Sequence, residues 1–318
     1  MATGVQLDHR VRPMDQVGDT VARLITLMFA ASIVLVAVLI VSVLWKDSAA
    51  AREKLGWGFL LSSQWNPVTE QFGGLPFIYG TVVTSVLALL ISVPLGLGSA
   101  IFLSELAPPR ISSGLTFLIE LLAAIPSVIY GLLAIFTLVP LMRVYVEPFL
   151  RTTLGFLPLF RGLAYGVGYL TAGVILAVMT LPFIVSVSRE SLLAVPREQR
   201  EAALALGATR WETTWQVVVP YARLGIMGSI FLALARALGE TMAVTMVIGN
   251  SSAIHASLFA PGHTIAAVIA NEFAEATGDV YRGVLIELGL VLFCLTIVLN
   301  GLARLMILAT TGKGSKRA

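Results

Sequence analysis

Residues Pro196–Pro220 read PREQREAALALGATRWETTWQVVVP, a polar stretch set between two long apolar runs. It is too charged to enter a bilayer, and its spacing predicts two short helices joined at Gly207. Pro196 suits the start of a helix, where its missing N–H leaves nothing unpaired. Glu198 and Glu201 lie in or near the first turn, where the helix dipole favours negative charge. Gly207 takes the left-handed conformation that ends a helix without steric cost. Thr209 and Glu212 then have the spacing of a capping box that starts a second helix. Trp211 and Trp215 stand one turn apart on it. Such an elbow projects from a membrane protein as something a partner can grip. The rival reading is an ordinary amphipathic surface hairpin.

The chain around this elbow is oily. Of 318 residues, 57% are hydrophobic and 12% charged, with a mean hydropathy of +0.90. A soluble domain carries about 25% charged residues, so this composition is that of an integral membrane protein. The lone Cys294 excludes an intrachain disulfide. His9, His255 and His263 lack metal-ligand spacing, and the last two read as loop residues. There is no GxxxxGK[ST] loop for a nucleotide, no HExxH and no basic run with interleaved aromatics. Those absences argue against an enzyme and against nucleic acid as a partner. They also leave this chain without a cofactor of its own.

Six apolar runs predict an all-α integral membrane fold with six transmembrane helices. They are Leu24–Trp45, Tyr79 to about Leu103, Leu115–Leu141, Tyr169–Val187, Leu224–Ile248 and Gly283–Leu308. The first run exceeds the 7–15 apolar residues of a signal core, so it reads as a retained helix despite Ala49–Ala51 beyond it. Residues 1–23 read as a cytosolic tail, residues 24–309 as the transmembrane domain with the elbow at 196–220, and residues 310–318 as a basic cytosolic tail. Trp57, Phe59 and Trp65 fit a headgroup boundary. Glu287 falls near the outer end of the sixth run.

Orientation follows the basic residues. With the amino terminus inside, thirteen fall on inner segments, from Arg10 and Arg12 through Arg197 and Arg200 to Lys313, Lys316 and Arg317. Seven fall outside: Lys46, Arg52, Lys54, Arg143, Arg151, Arg161 and Arg282. Both termini and the elbow are therefore expected in the cytosol.

Inside the fifth run, Arg236 lies about 18 Å from its start at helical rise, near mid-bilayer. Glu240 follows at i+4, so both side chains are expected on one face of the helix. Ionised groups at that depth are costly and usually face a pathway. A guanidinium matches a phosphate's oxygens with planar paired donors. Glu240 would hold Arg236 between substrates, or accept from a protonated phosphate oxygen. The rival reading is a structural ion pair. Glu120 and Ser127 in the third run form a possible second polar site, although Glu120 sits near an end of its helix.

Several of these segments resemble a known family. Glu201-Ala202-Ala203, then Gly207, then Val217-Val218-Val219-Pro220 is similar to the cytoplasmic EAA loop of ABC-importer permeases, with Val in place of Ile and Leu at Val217 and Val219. Trp65–Pro67 with Phe72–Thr81, Glu120–Gly131 and Ala235–Thr241 resemble the PstC type of phosphate permease. The likeness runs from about Trp65 to the sixth run; residues 1–62 match in hydropathy alone. It implies a permease subunit of an ATP-driven phosphate importer in the bacterial inner membrane. The implied partners are a second, PstA-like permease, a PstB-like ATPase dimer that binds ATP-Mg, and a PstS-like periplasmic phosphate-binding protein. Glu201, Ala202, Ala203, Gly207 and Pro220 would belong to the ATPase-coupling loop, and Arg236 and Glu240 to the substrate pathway. The alternatives are a permease for sulfate or molybdate and an ion-coupled secondary transporter.

Overall fold

The structure, a computed structural model, describes residues 13–311, with side chains from residue 18 to residue 305. The expected tail at residues 1–12 and the basic end at Lys313, Lys316 and Arg317 lie outside the described residues. The described chain is helical with no strand, and six helices are long and apolar enough to cross a membrane. It forms two compact units that meet between Asp47 and Ser48.

The first unit is α1, Pro13–Asp47. It begins well before the expected Leu24, because Pro13 is suited to a first helical turn and nothing from there to Asp47 breaks a helix decisively. Leu24, Phe29 and Ile33 are all more than 60% exposed. A helix that is apolar all round is one built for lipid.

The second unit holds α2 (Ala49–Leu55), α3 (Leu75–Leu106), α4 (Pro109–Ala124), α5 (Ser127–Leu154) and α6 (Tyr169–Leu193). There follow α7 (Arg197–Ala205), α8 (Arg210–Gly239), α9 (Met242–Val247), α10 (Ile265–Glu272) and α11 (Asp279–Thr311). The bundle is built on α6. Of its most apolar stretch 67% is buried, against 33% at most in the other spans. It packs along α3 on one side and α8 on another. Ser188 of α6 and Ser229 of α8 are fully buried and share a hydrogen bond of 2.8 Å. Such small polar pairs tie helices together where lipid supplies no hydrophobic drive.

Two expected spans are drawn differently. The run Leu115–Leu141 is not one helix: α4 stops at Ala124 and α5 starts at Ser127. Pro126 is the cause, since the residue before a proline is pushed out of the helical region. Ile125 accordingly has φ −68° and ψ 128°. The membrane-crossing helix is Ser127–Leu154, which runs past the expected end at Leu141. The run Leu224–Ile248 is also broken. The second elbow helix continues without interruption through Pro220 and ends at Gly239, after which Glu240 is extended.

Why Pro220 does not stop α8 is visible just before it. Residues Thr214–Val218 form a widened, π-type turn. Proline gives no N–H, and its ring pushes on the carbonyl one turn back; a wider turn moves that carbonyl aside. The same pairing recurs at Phe102–Leu106 before Pro108, Ala134–Leu138 before Pro140 and Met142–Val146 before Pro148. The helix continues in every case but the first, where Pro108 and Pro109 together end it.

The stretch between the fifth and sixth apolar runs, where His255 and His263 read as loop residues, is not a loose loop. It is instead folded into the bundle. Carbonyls of Val247, Ala260 and Leu258 accept the N–H groups of Gly168, Tyr169 and Leu170, which satisfies the buried start of α6. His263 is a loop residue but only 4% exposed, edge-on to Phe77. Trp65 packs in a ring cluster with Phe72, Phe77 and Tyr281, and its Nε1 donates to Glu272 at 3.0 Å. Glu287 is buried on α11, within electrostatic reach of Arg52 on α2.

Two stability tests follow from this packing. A Cβ at Gly80 would lie 1.9 Å from the carbonyl oxygen of His263, whereas one at Gly98 meets nothing within 4 Å. Gly80→Ala should destabilise by roughly 1–3 kcal/mol, the range for forced overpacking; Gly98→Ala should be neutral or stabilising. Thermal unfolding in detergent compares the two, and equal midpoints would contradict the packing.

Burial pushes the His263 imidazole down to about 4, and its Nδ1 accepts the Thr264 N–H at 3.2 Å, a bond that only the unprotonated nitrogen can make. The unfolded chain takes up this proton below about pH 6.5, the native chain only near 4. The stability from neutral His263 is therefore full above 6.5 and lost as pH falls toward 4, by up to about 3 kcal/mol. His263→Asn should flatten that part of the stability–pH curve measured in detergent.

Candidate functional site

Arg236 lies in the last turn of α8, where the dipole of a helix C-terminus favours a cation. It is not in mid-helix, and Glu240 is not on its helical face. With φ −71° and ψ 129°, Glu240 lies outside α8 and turns toward α9, where its Oε1 accepts the N–H of Ala243 at 3.5 Å. No ion pair joins Arg236 and Glu240 among the described residues. The i+4 expectation fails because Gly239 and Glu240 end the helix between them.

Arg236 has other neighbours. Its guanidinium carbon sits 4.6 Å from the centre of the Phe183 ring on α6, a cation–π contact. Its Nε is buried without a hydrogen-bond partner. It is within electrostatic reach of Tyr130 on α5. Tyr130 is buried, and its hydroxyl donates to the carbonyl of Leu122 at 2.7 Å, across the gap between α4 and α5. One residue on, a Cβ at Gly131 would fall 2.3 Å from Met246 Sδ and 3.2 Å from Ala243 Cα. Only glycine lets α5 approach α9 this closely. The helices that follow the two breaks, at residues 125–126 and 240–241, thus pack against each other, and Arg236 lies within electrostatic reach of the first of them. Ser127 is half-buried in the first turn of α5. Glu120 stands exposed on α4, with no bond to Arg236.

Phe183 and Tyr130 were not found from the sequence. A phenylalanine next to Pro182 in an apolar run carries no signal. Tyr130 lay in a quoted segment but differs from core tyrosines only in its packed position.

The elbow forms with the caps its spacing suggests, but its second helix is not short, since it runs on to Gly239 as α8. Pro196 caps α7, and Gly207 has φ +91° with open space around it. Thr209 and Glu212 make the reciprocal capping box: Thr209 Oγ1 accepts the Glu212 N–H at 3.2 Å and Glu212 accepts the Thr209 N–H at 2.7 Å. The Trp211 and Trp215 rings meet edge to face at 5.6 Å. Glu201, Ala202 and Pro220 are exposed, Ala203 is half-buried, and Leu206 is 90% exposed.

A donor set that escaped the sequence reading fixes this elbow. Arg200 Nη2 and Nε donate to the two carboxylate oxygens of Glu105 at 2.9 and 3.3 Å. Nη2 also donates to the carbonyl of Leu192 at 2.7 Å, and Nη1 to that of Val195. The partners are 95 residues apart in one case, so no local pattern reveals them.

Comparison with known proteins gives this architecture a class. Residues 92–309 match the family described as "Binding-protein-dependent transport system inner membrane component". The chain belongs to this family and is a multi-pass protein of the inner membrane. Curated relatives of the PstC type match it over most of its length, as the segments around Glu120–Gly131 and Ala235–Thr241 suggested. The phosphate transport system permease protein PstC of Mesorhizobium japonicum is 50% identical over 269 residues, which is 83% of this chain and 82% of that protein. The PstC protein of Haemophilus influenzae is 48% identical over 86% of this chain and 88% of its own. A probable PstC of Methanocaldococcus jannaschii is 38% identical over 87% and 90% respectively.

Proposed function

We propose that this chain is a membrane permease subunit of an ATP-driven importer of inorganic phosphate, with Arg236 on the translocation path. The observation that carries the reading is the guanidinium of Arg236, held on the Phe183 ring near two helix breaks and without a carboxylate partner among the described residues. The names of the relatives supply the anion it is matched to. Broken helices at a transporter's core are where substrate sites are usually built. A guanidinium offers paired donors to a tetrahedral oxyanion. Its place at the carbonyl end of α8 tempers that attraction, since the helix dipole there is negative. Glu240, on the far side of the break, can accept from a protonated phosphate oxygen and repels a fully ionised one. Both effects favour release, which a carrier needs as much as binding. Ser127 and Glu120 flank the other break as secondary polar positions.

The elbow Pro196–Pro220 is, in this reading, the cytosolic surface that docks on a separate ATPase. Glu201, Ala202, Ala203 and Gly207 belong to that surface. Leu206 and Trp211, 90% and 57% exposed, are apolar groups that a partner would cover. The chain would pair with a PstA-like permease, stand on a PstB-like ATPase dimer that binds ATP-Mg, and receive phosphate from a PstS-like periplasmic protein. It would have no catalytic residue or cofactor of its own.

The test is ATP-dependent uptake of radiolabelled phosphate by vesicles that hold the full assembly, with sulfate as competitor. Uptake should need ATP and ignore sulfate. Arg236→Gln should lower it at least tenfold, taking a charge-assisted hydrogen bond as worth about 1.5–3 kcal/mol. Wild-type uptake in an assembled Arg236→Gln variant would remove Arg236 from the path. Uptake of sulfate or molybdate in place of phosphate would keep the importer and change the cargo, and uptake without ATP would mean an ion-coupled carrier.

Gly207→Pro gives the second test. Proline fixes φ near −65° where the chain has +91°, so the elbow cannot keep its shape. Co-purification of the ATPase should be lost while the permease itself stays folded. Retention of the ATPase and of coupled hydrolysis would exclude the elbow as the docking surface.

A further inference from the structure

We infer that Arg200 and Glu105 form the joint through which movement of the elbow reaches the membrane spans, and that Arg200 is a positioning residue for transport; this rests on the function proposed above. The geometry is a convergence of three elements on one side chain. Arg200 belongs to α7, Glu105 to the widened turn at the end of α3, and Leu192 and Val195 to the end of α6 and the bend after it. The guanidinium donates to both carboxylate oxygens and to both carbonyls.

An ordinary surface ion pair does not look like this. Exposed pairs join two mobile side chains and contribute little. Here the side chains are only 20% and 11% exposed. The Val195 carbonyl lies just past the end of α6, where such groups lose their helical partners, and the Leu192 carbonyl accepts the Val195 N–H as well as Arg200, so the arginine ties backbone and charge together. A planar fork with several donors does this; an ammonium group cannot reach all of them.

What makes the contact a joint is how little else holds α7. None of its residues is fully buried, and its remaining packing is against the first turns of α8. Glu201, the next residue, is exposed on the side a partner would grip. A push on α7 therefore has two routes inward: along the chain into α8, and through Arg200 into α3 and α6. The second route leads to the core, because α3 and α6 pack along each other and α6 carries Phe183 beneath Arg236.

The experiment measures phosphate taken up per ATP hydrolysed in vesicles holding the full assembly, for wild type, Arg200→Lys and Glu105→Gln. Arg200→Lys keeps the charge and loses the shared bonds. Glu105→Gln keeps the shape and loses the charge, and it is the milder change should the first variant fail to assemble. The expected result is that both variants assemble and hydrolyse ATP, while uptake per ATP falls about fivefold or more, the lower edge of coupling between distant sites. A purely structural contact would lower the unfolding temperature and the yield but leave that ratio unchanged. An unchanged ratio in either assembled variant overturns the inference, as does failure of both to assemble, which would make the contact a staple for folding. If wild type itself shows no ATP-dependent phosphate uptake, the proposed function falls, and that outcome is separate from one in which wild type transports and the variants keep its ratio.

Discussion

A bilayer offers no hydrogen bonds, so each backbone N–H and C=O inside it must find a partner within the protein. Most of this structure is an answer to that constraint, because the chain runs prolines and glycines through its spans. Four prolines, at 108, 140, 148 and 220, stand just beyond a widened turn, and three of them leave the helix continuous. The same demand explains the breaks. Where α4 stops, the Tyr130 hydroxyl donates to the carbonyl of Leu122; where α9 begins, the Glu240 carboxylate accepts the N–H of Ala243. The side chains nearest the candidate pathway are thus partly occupied with backbone that the breaks leave open.

That arrangement couples the site to the fold. If α8 ran on through Glu240, Arg236 would meet it one turn away and the pair would neutralise itself. The break at 239–241 separates them and leaves the guanidinium on an aromatic face. An aromatic ring offers a cation some attraction without the strength of a carboxylate, so the guanidinium stays available to an anion. The interruption of the helix and the availability of the charge have one cause, the Gly239–Glu240 end of α8.

The sequence made the class of fold legible because a run of some twenty apolar residues has few other uses. It made the elbow legible because capping chemistry is local: Thr209 and Glu212 are three residues apart, and Gly207 needs no distant partner to adopt φ +91°. The third and fifth spans were misdrawn because hydropathy reports composition and not backbone angle. Pro126 and Pro220 carry the same letter, yet one ends a helix and the other rides through it. The difference lies in the turn before each, which depends on packing. Phe183, Tyr130 and the Arg200–Glu105 contact were out of reach for a related reason. Each acquires its role from a neighbour on another helix, and a single sequence holds no record of which helices meet. The burial of the loop around His263 was equally hidden, because its polar letters do not show that its carbonyls cap the start of α6.

The helix α6 joins these observations. It is the most buried span, it presents Phe183 to Arg236, and nine residues further on its last carbonyls receive Arg200. At helical rise that is about 14 Å of one helix between the ring and the anchor. A helix is stiff along its axis over so short a length, so displacement at its end is felt at the ring. Pro182 lies between the flanking turns, next to Phe183, and removes one rung of the internal ladder there. The weakest place for α6 to bend is therefore beside the ring that carries Arg236. A tilt at the elbow end would be concentrated at that point, moving the aromatic face and the guanidinium relative to the two breaks.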